Sequence, residues 1–267
     1  MKKLKEKIGL IGCGNMGAAI LEGLLKNKIA KPRQIFMFDP IPEKLKLLSK
    51  KFSVRICRNN DEVIRQSQIV ILAVKPQELA VISKGLRGAF KNQALITILA
   101  GTPISKVRRF LGSKIAIARA MPNLGAKVGS AITALCGDAR AIRKAELIFS
   151  GCGETVRVAE KQFDVVTAVS GSGPAYFFLL MELLANFAET HGFSKESAKR
   201  LSVQTALGAA KLAKLSSENP EALRKQVTSK GGTTEAALSF LFKKKAPEIF
   251  GQAFLQAVRR AKALSRD

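Results

Sequence analysis

Residues that bind metal ions are scarce in this sequence. It contains one histidine, His191, and four cysteines at positions 13, 57, 136 and 152, with no C-x-x-C pair among them. Protein zinc sites are built from closely spaced cysteine and histidine residues, so the sequence predicts no metal site. Scattered thiols in a chain of 267 residues are typical of reduced cytosolic proteins, and we expect a cytoplasmic location.

Aromatic side chains are also few, with no tryptophan and a single tyrosine. A protein that stacks single-stranded nucleic acid on aromatic rings would have to use phenylalanine here. The formal net charge of +25 would suit an anionic partner, but the longest basic run is only Lys243–Lys245. Basic residues exceed acidic ones by 30 to 11 up to Gln162 and by 15 to 9 after it. We therefore expect no nucleic-acid partner, and a basic surface that favours encounter with anionic small molecules.

Long apolar runs are the third feature that the sequence lacks. No segment approaches the roughly 18 apolar residues that a membrane-spanning helix needs. The basic start, Met1–Lys7, leads into an apolar stretch that is interrupted at Gly12 and Gly14, unlike the apolar core of a signal peptide. We expect neither a membrane partner nor a signal peptide.

The first part of the chain alternates short apolar runs with helical patterns. Strands are predicted at 7–11, 35–38, 54–56, 69–74, 94–99, 115–118 and 131–135, and helices at 15–26, 43–50, 60–65 and from Pro76 onward. Wholly apolar strands that alternate with helices are typical of a doubly wound, mainly parallel α/β sheet. We assign this sheet to a domain of residues 1–162.

After residue 162 the pattern changes to helices alone, predicted at 176–189, 195–215, 220–227, 234–242 and 246–264. Segments such as Phe177–Met181 carry more apolar surface than a small domain can bury by itself. We infer that this all-helical domain, residues 163–267, packs against a second subunit. The alternative is that its long helices cover one another.

A glycine motif follows the first predicted strand and opens the first helix. Gly12, Gly14 and Gly17 fit G-x-G-x-x-G in the context that a dinucleotide-binding Rossmann domain requires. The first glycine would make the tight turn, the second would let the backbone approach the pyrophosphate, and the third would let the helix pack closely on the strand. Asn15 and Met16 begin the helix, whose free N–H groups can bind phosphate.

An acidic residue, Asp39, ends the second predicted strand, 22 residues beyond Gly17. An acid at this point typically binds the adenosine ribose hydroxyls and repels a 2′-phosphate, which favours NADH over NADPH. The alternative is that Asp39 and Pro40 are ordinary turn residues.

Five segments together resemble the pyrroline-5-carboxylate reductase family. They are GLIGCGNMG at 9–17, AVKPQ at 73–77, AMPN at 120–123, SGSGPAY at 170–176 and VTSKGGTT at 227–234. The resemblance implies reduction of 1-pyrroline-5-carboxylate to L-proline by hydride transfer from NADH or NADPH, the last step of proline biosynthesis. It also implies that the helical domain forms a homodimer, with larger rings of dimers in many relatives.

Further cofactor residues follow from the resemblance. Asn60 would lie near the adenosine, Val74 and Lys75 would lie against the cofactor after the fourth strand, and Ala100 would lie near the nicotinamide ribose. Pro76 and Asn123 belong to the same matching segments. These positions also agree with the rule that ligands bind at the carboxyl ends of parallel strands.

Substrate residues implied by the resemblance lie mostly in the last segment. They are Ser229, Gly231, Gly232, Thr233 and Thr234, with Gln226 before them and Glu160 as an acid on the substrate side. The two glycines precede a helix start, whose first-turn N–H groups can hold a carboxylate. Thr234 matches the hydroxyl donor near the ring nitrogen and is the candidate catalytic residue; alternatively it is a plain N-cap threonine.

One residue departs from the family pattern, because Lys230 stands where relatives usually carry proline. It adds a backbone donor and a cation and removes a rigid φ angle. His191 follows a predicted helix end and is interpreted as a cap. An imine is already electrophilic, so no strong general base is needed to reduce it.

Two other classes compete with this interpretation. β-Hydroxyacid dehydrogenases share the domain plan but carry a catalytic lysine four residues after a Gly-x-Gly loop, where this chain has Phe177. A non-catalytic nucleotide-binding protein would not need the intact segment at 229–234. Both alternatives are therefore less favoured.

Overall fold

The computed structural model describes residues 3–266, and the chain divides into two compact units. The first unit comprises the chain up to Ser172 together with Ala257 onward, and the second comprises Gly173–Gln256. The predicted domain boundary lies shortly before the end of the first unit's main segment. Met1, Lys2 and Asp267 of the predicted domains lie outside the described residues.

The first unit is built on an eight-stranded sheet with the strand order β3-β2-β1-β4-β5-β6-β7-β8. The strands are β1 (Ile8–Ile11), β2 (Ile35–Phe38), β3 (Arg55–Ile56), β4 (Ile69–Leu72), β5 (Ala94–Thr97), β6 (Ala116–Met121), β7 (Ala131–Gly137) and β8 (Gly153–Arg157). The first six strands are parallel, β7 pairs antiparallel with β6, and β8 is parallel to β7. The prediction of a mainly parallel, doubly wound sheet is confirmed.

Helices cover both faces of this sheet. They are α1 (Asn15–Lys26), α2 (Pro42–Phe52), α3 (Asn60–Gln66), α4 (Leu79–Ser83), α5 (Ile104–Leu111), α6 (Ala139–Phe149) and α7 (Phe163–Val166). Every residue of β1, β4 and β5 is buried, because helices pack on both of their faces. The sequence analysis assigned no element to α5, α6 or β8, whose alternating charged and apolar residues give no continuous apolar run.

The second unit is helical. It contains α8 (Gly173–Thr190), α9 (Lys195–Leu215), α10 (Pro220–Gln226), α11 (Thr233–Lys243) and the first half of α12 (Ala246–Arg266), which belongs to the first unit from Ala257 onward. The predicted helices are confirmed to within a few residues at each end. Among the described residues, α8 buries only Gly173, and α11 buries none.

Residues 160–190 form a helical stretch that is long and apolar enough to cross a membrane by length and composition. The sequence analysis excluded any such stretch, and that exclusion was wrong. It counted runs of apolar residues, whereas the apolar residues of this stretch are interrupted by small residues that carry no charge. Core helices of globular proteins pass the same test, so the composition is weak evidence for a membrane.

Candidate active site

The glycine motif forms a tight turn between β1 and α1. Gly12 has φ +93°, and a Cβ atom on it would lie 2.6 Å from the carbonyl oxygen of Ala73. A Cβ atom on Gly17 would lie 2.4 Å from the carbonyl oxygen of Gly12. Both positions therefore require glycine, the first for backbone conformation and the second for close packing.

Gly14 has a different environment, since a Cβ atom there would meet nothing within 4 Å. It is the N-cap of α1, and no side chain of the described residues caps this helix. By contrast, the side chains of Asn59, Ser194 and Asn219 cap α3, α9 and α10. The first turn of α1, at Asn15 and Met16, therefore presents free N–H groups to an anion.

Asp39 lies just after β2 and is only 6% exposed. Its Oδ2 atom accepts the N–H of Cys13 at 2.8 Å, and its Oδ1 atom accepts the N–H of Ile41 at 3.0 Å. Nζ of Lys44 lies 3.6 Å from Oδ1. The carboxylate thus joins the glycine turn to the end of β2, a contact that the sequence analysis did not predict. Burial, together with this carboxylate, raises the pKa of the Cys13 thiol to about 12, so the thiol stays neutral.

The segment after β4 lies against the glycine turn. The N–H of Ala73 donates to the carbonyl oxygen of Ile11 at 2.8 Å, and Cγ1 of Val74 would be 3.0 Å from a Cβ atom on Gly12. Lys75 is exposed, and Pro76 begins a short 3-10 helix. The predicted cofactor residues 74–76 therefore begin beside the glycine turn, with Val74 in contact with it.

Two asparagine side chains have unused acceptors. The Oδ1 atoms of Asn60, at the start of α3, and of Asn123, after β6, are buried and have no hydrogen-bond partner in the described part of the chain. A buried amide oxygen without a partner is costly, so both oxygens are available to accept a hydrogen bond from a ligand. The glycine turn, the open α1 N-terminus and these two oxygens fit a dinucleotide.

The last four residues of the connection between β5 and α5, Ala100–Pro103, lead into α5 and will be called the cofactor loop. Its second residue, Gly101, has φ +61°, and a Cβ atom there would lie 2.8 Å from Cβ of Leu264. Glu160 lies beside the end of this loop, where its Oε1 atom accepts the N–H of Ile104 at 2.8 Å. Nη1 of Arg119 is 3.2 Å from the same oxygen.

Met121 of the AMPN segment and Gly171 of the SGSG segment lie close together in the first unit. Residues Thr167–Gly171 form a π-helical turn, a feature that is frequent at functional sites. A Cβ atom on Gly171 would lie 2.7 Å from Cε of Met121. Glycine at 171 therefore allows the serine-glycine segment to lie directly on Met121.

The predicted substrate turn, Ser229–Gly232, lies in the second unit before α11. Gly231 has φ +74°, and the N–H of Gly232 donates to the carbonyl oxygen of Ser229 at 3.0 Å. The N–H of Gly231 donates to Oε2 of Glu235 at 2.7 Å. The N–H groups of both glycines are thus used inside the chain.

Helix α11 begins at Thr233, with Gly232 as its N-cap and no capping side chain among the described residues. Its first turn, including the half-buried Thr234, is open to an anion in the same way as that of α1. Gln226 donates from Nε2 to Oε2 of Glu218 at 2.6 Å, whereas Lys230 is exposed.

The candidate residues therefore form two groups, each described within its own unit. The cofactor candidates and Glu160 lie in the first unit, and Gln226 with the candidates from Ser229 to Thr234 lies in the second. The sequence analysis missed Arg119, Glu218 and Glu235. Glu235 had a usable signal, since it stands three residues after the N-cap, at the spacing of a capping box.

No catalytic role is assigned to the histidine or to the cysteines. His191 is exposed, and its Nδ1 atom lies 2.8 Å from the carbonyl oxygen of Phe187 in the last turn of α8. The four cysteines are free and buried. In the residues that the structure covers, no three histidine, cysteine or acidic side chains are grouped to hold a metal ion.

Two family models match the chain. Residues 160–264 match pyrroline-5-carboxylate reductase dimerisation, and residues 7–101 match NADP oxidoreductase coenzyme F420-dependent. The chain is 37% identical over 265 residues to the pyrroline-5-carboxylate reductase of Synechocystis sp., covering 98% of this chain and 97% of that relative.

Solved structures agree with these matches. A pyrroline-5-carboxylate reductase from Coxiella burnetii has a TM-score of 0.91 and 35% identity, covering 98% of this chain and 99% of that chain. The Plasmodium falciparum pyrroline carboxylate reductase with NADP bound has a TM-score of 0.89 and 28% identity, again covering 98% and 99%.

Proposed function

The chain belongs to the pyrroline-5-carboxylate reductase family, and from this premise we infer that it reduces 1-pyrroline-5-carboxylate to L-proline with NADH or NADPH. This reaction is the last step of proline biosynthesis. The observation that carries the proposal is the pair of helix N-termini that have glycine as the N-cap, α1 after Gly14 and α11 after Gly232. Each provides N–H groups for an anion, one for the cofactor pyrophosphate and one for the substrate carboxylate.

Cofactor binding is assigned to the first unit. The glycine turn and the start of α1 hold the pyrophosphate, and Asp39 and Asn60 lie at the adenosine end. The remaining cofactor residues are Val74, Lys75, Pro76, Ala100 and Asn123. When bound, the cofactor supplies the hydride, and the protein supplies orientation. The unused oxygens of Asn60 and Asn123 support this assignment.

Substrate binding is assigned to the start of α11. The N–H groups and hydroxyls of Thr233 and Thr234 hold the carboxylate and the ring, Ser229 lines the turn, and the Thr234 hydroxyl donates to the ring nitrogen. Gly231 and Gly232 shape the turn, because their N–H groups are already used. Gln226 borders the turn and is held by Glu218. Glu160, which was predicted as a further substrate residue, lies in the first unit.

We also propose a separate function for each of the two predicted domains. Residues 1–162 serve cofactor binding, and residues 163–267 serve substrate binding and homodimer formation, and the dimers assemble into a larger ring. The apolar side chains that α8 leaves exposed support an interface between two copies. We place the enzyme in the cytoplasm, with a small cyclic imine rather than nucleic acid or membrane as its partner.

The direct test is the loss of NAD(P)H absorbance when the purified protein is mixed with pyrroline-5-carboxylate, with NADH and NADPH assayed separately. We expect oxidation of the cofactor with matching formation of proline. Cofactor binding without oxidation would contradict the proposal and would favour another imine or a non-catalytic protein.

A further inference from the structure

Glu160 differs from the other predicted substrate residues in its position, since it lies in the first unit beside the cofactor loop. We propose that Glu160 is a positioning residue for this loop and acts on cofactor binding rather than on the substrate. The proposal rests on the assignment of Ala100 to the cofactor site, as made in the preceding subsection.

The first support is the buried arginine that Glu160 pairs with. Arg119 lies in the middle of β6, between Thr97 of β5 and Cys136 of β7, and its side chain is 6% exposed. Its guanidinium carbon lies 4.5 Å from the centre of the fully buried Phe163 ring. A charge in such a place needs a partner, and Glu160 provides one. The pair and the ring contact therefore hold residues 160–163 at a defined place on the sheet.

The second support is the start of α5. Ile104 is the first residue of this helix, and its N-cap, Pro103, has no side-chain group that can accept a hydrogen bond. The acceptor for the Ile104 N–H instead comes from Glu160, 56 residues away in the chain. The carboxylate thus caps α5 from outside the helix and fixes Ile104, the residue that follows the cofactor loop.

In this proposal, the conformation of the loop depends on the anchor at Ile104. It is the last part of the six-residue connection, 98–103, between β5 and α5, and Gly101 within it is left-handed, a state that glycine adopts at no steric cost. With Oε1 of Glu160 in place, Ile104 is fixed at one end, and β5 fixes the other. Without it, Ala100 would sample positions that do not fit the nicotinamide ribose, and cofactor binding would weaken.

The two roles of Glu160 predict effects on different constants, so Glu160→Ala and Glu160→Gln separate them. We would measure the Kd for NADPH by cofactor fluorescence without substrate, and then both KM values. For a positioning residue, Glu160→Ala raises the Kd and KM for NADPH roughly five- to tenfold, the scale of a lost charged hydrogen bond. The KM for pyrroline-5-carboxylate stays within about twofold of the wild-type value, because the substrate contacts are untouched.

Glu160→Gln keeps an oxygen for the Ile104 N–H and loses only the charge that faces Arg119, so we expect a rise of about threefold in the NADPH constants. It carries the test if Glu160→Ala does not fold. The matched control is Glu146→Gln. It breaks the ion pair between Glu146 of α6 and Arg157 of β8, and it should leave the Kd and the KM for NADPH unchanged.

A raised KM for pyrroline-5-carboxylate with an unchanged Kd for NADPH would overturn the proposal and make Glu160 a substrate ligand. Unchanged constants in both variants would overturn it as well. Because the Kd is measured without substrate, a chain that binds NADPH and reduces no pyrroline-5-carboxylate would refute the proposed function while leaving the result for Glu160 readable.

Discussion

The two units of the chain differ in how far they bury their apolar side chains. In the first unit, β1, β4 and β5 are entirely buried, and the two faces of the sheet carry large clusters of buried side chains. In the second unit, α8 buries only Gly173 among its described residues, although most of its side chains are apolar. The first unit thus completes its core by itself, whereas the second exposes a surface that a second copy can cover.

This difference indicates where assembly and stability are linked. A unit whose apolar residues are covered only by a partner gains stability with protein concentration, whereas a unit with its own core does not. The match of residues 160–264 to a dimerisation family agrees with this division.

The largest effect is expected at the exposed face of α8. Phe177 is 64% exposed, so Phe177→Glu places a charge where we propose that two copies meet. Burying an unpaired carboxylate should weaken the dimer by roughly a hundredfold or more, with loss of activity at low protein concentration. Size-exclusion chromatography with light scattering measures the change.

The matched control lies in the first unit. Leu47 on α2 is equally exposed, at 68%, and Leu47→Glu should leave mass and activity unchanged. A dimeric Phe177→Glu protein, or a monomeric Leu47→Glu protein, would reverse the assignment of interface to the second unit.

The next effect concerns the substrate turn. Thr234→Val keeps the shape of the side chain and removes the hydroxyl that we assign to the ring nitrogen. We expect kcat to fall roughly ten- to a hundredfold, the scale of one lost donor in an active site. Steady-state assays with Thr155→Val on β8 as control check this, and equal kcat values in the two variants would make Thr234 a plain helix-start residue.

A smaller effect is expected at the adenosine end of the first unit. Asp39→Ser removes the carboxylate that accepts the Cys13 N–H and that we assign to the ribose. The ratio of kcat/KM for NADPH to that for NADH should rise about tenfold, because a nearby negative charge no longer opposes the 2′-phosphate. Glu43→Gln, one turn away on α2, is the control. An unchanged ratio would leave Asp39 only its contact with the glycine turn.

The smallest effect is expected at His191, which lies in the second unit and contacts the last turn of α8. His191→Ala removes a cap-like contact and no proposed catalytic group, so kcat should stay within about twofold of wild type. A hundredfold loss of kcat would show that the histidine takes part in the reaction.

Much of the fold was predictable because periodicity and apolar runs are local signals. Helix α1, from Asn15 to Lys26, and helix α9, from Lys195 to Leu215, have the predicted bounds. Helix α5 and strand β8 were missed, since α5 is short and three of its eight residues are charged, and three of the five residues of β8 are exposed. Their positions depend on pairing and packing with distant segments.

The candidate site, too, was predictable from the sequence only in part. The roles of Gly12 and Gly17 could be read from the motif, and the φ angle and close approaches at these glycines agree with them. The directions of the carboxylates could not be predicted. Asp39 points to Cys13, and Glu160 points to Ile104 and Arg119, because hydrogen-bond partners are set by which backbone groups the fold leaves unpaired.

The family, the α/β and helical parts, and the two glycine-led helix starts could therefore be predicted from the sequence, since each depends on residues that are close in the chain. The exposed face of α8, the unused oxygens of Asn60 and Asn123, and the link from Glu160 to Arg119 and Ile104 became visible only in the folded chain. Burial and hydrogen-bond satisfaction are properties of groups far apart in the chain, so they exist only once the chain has folded.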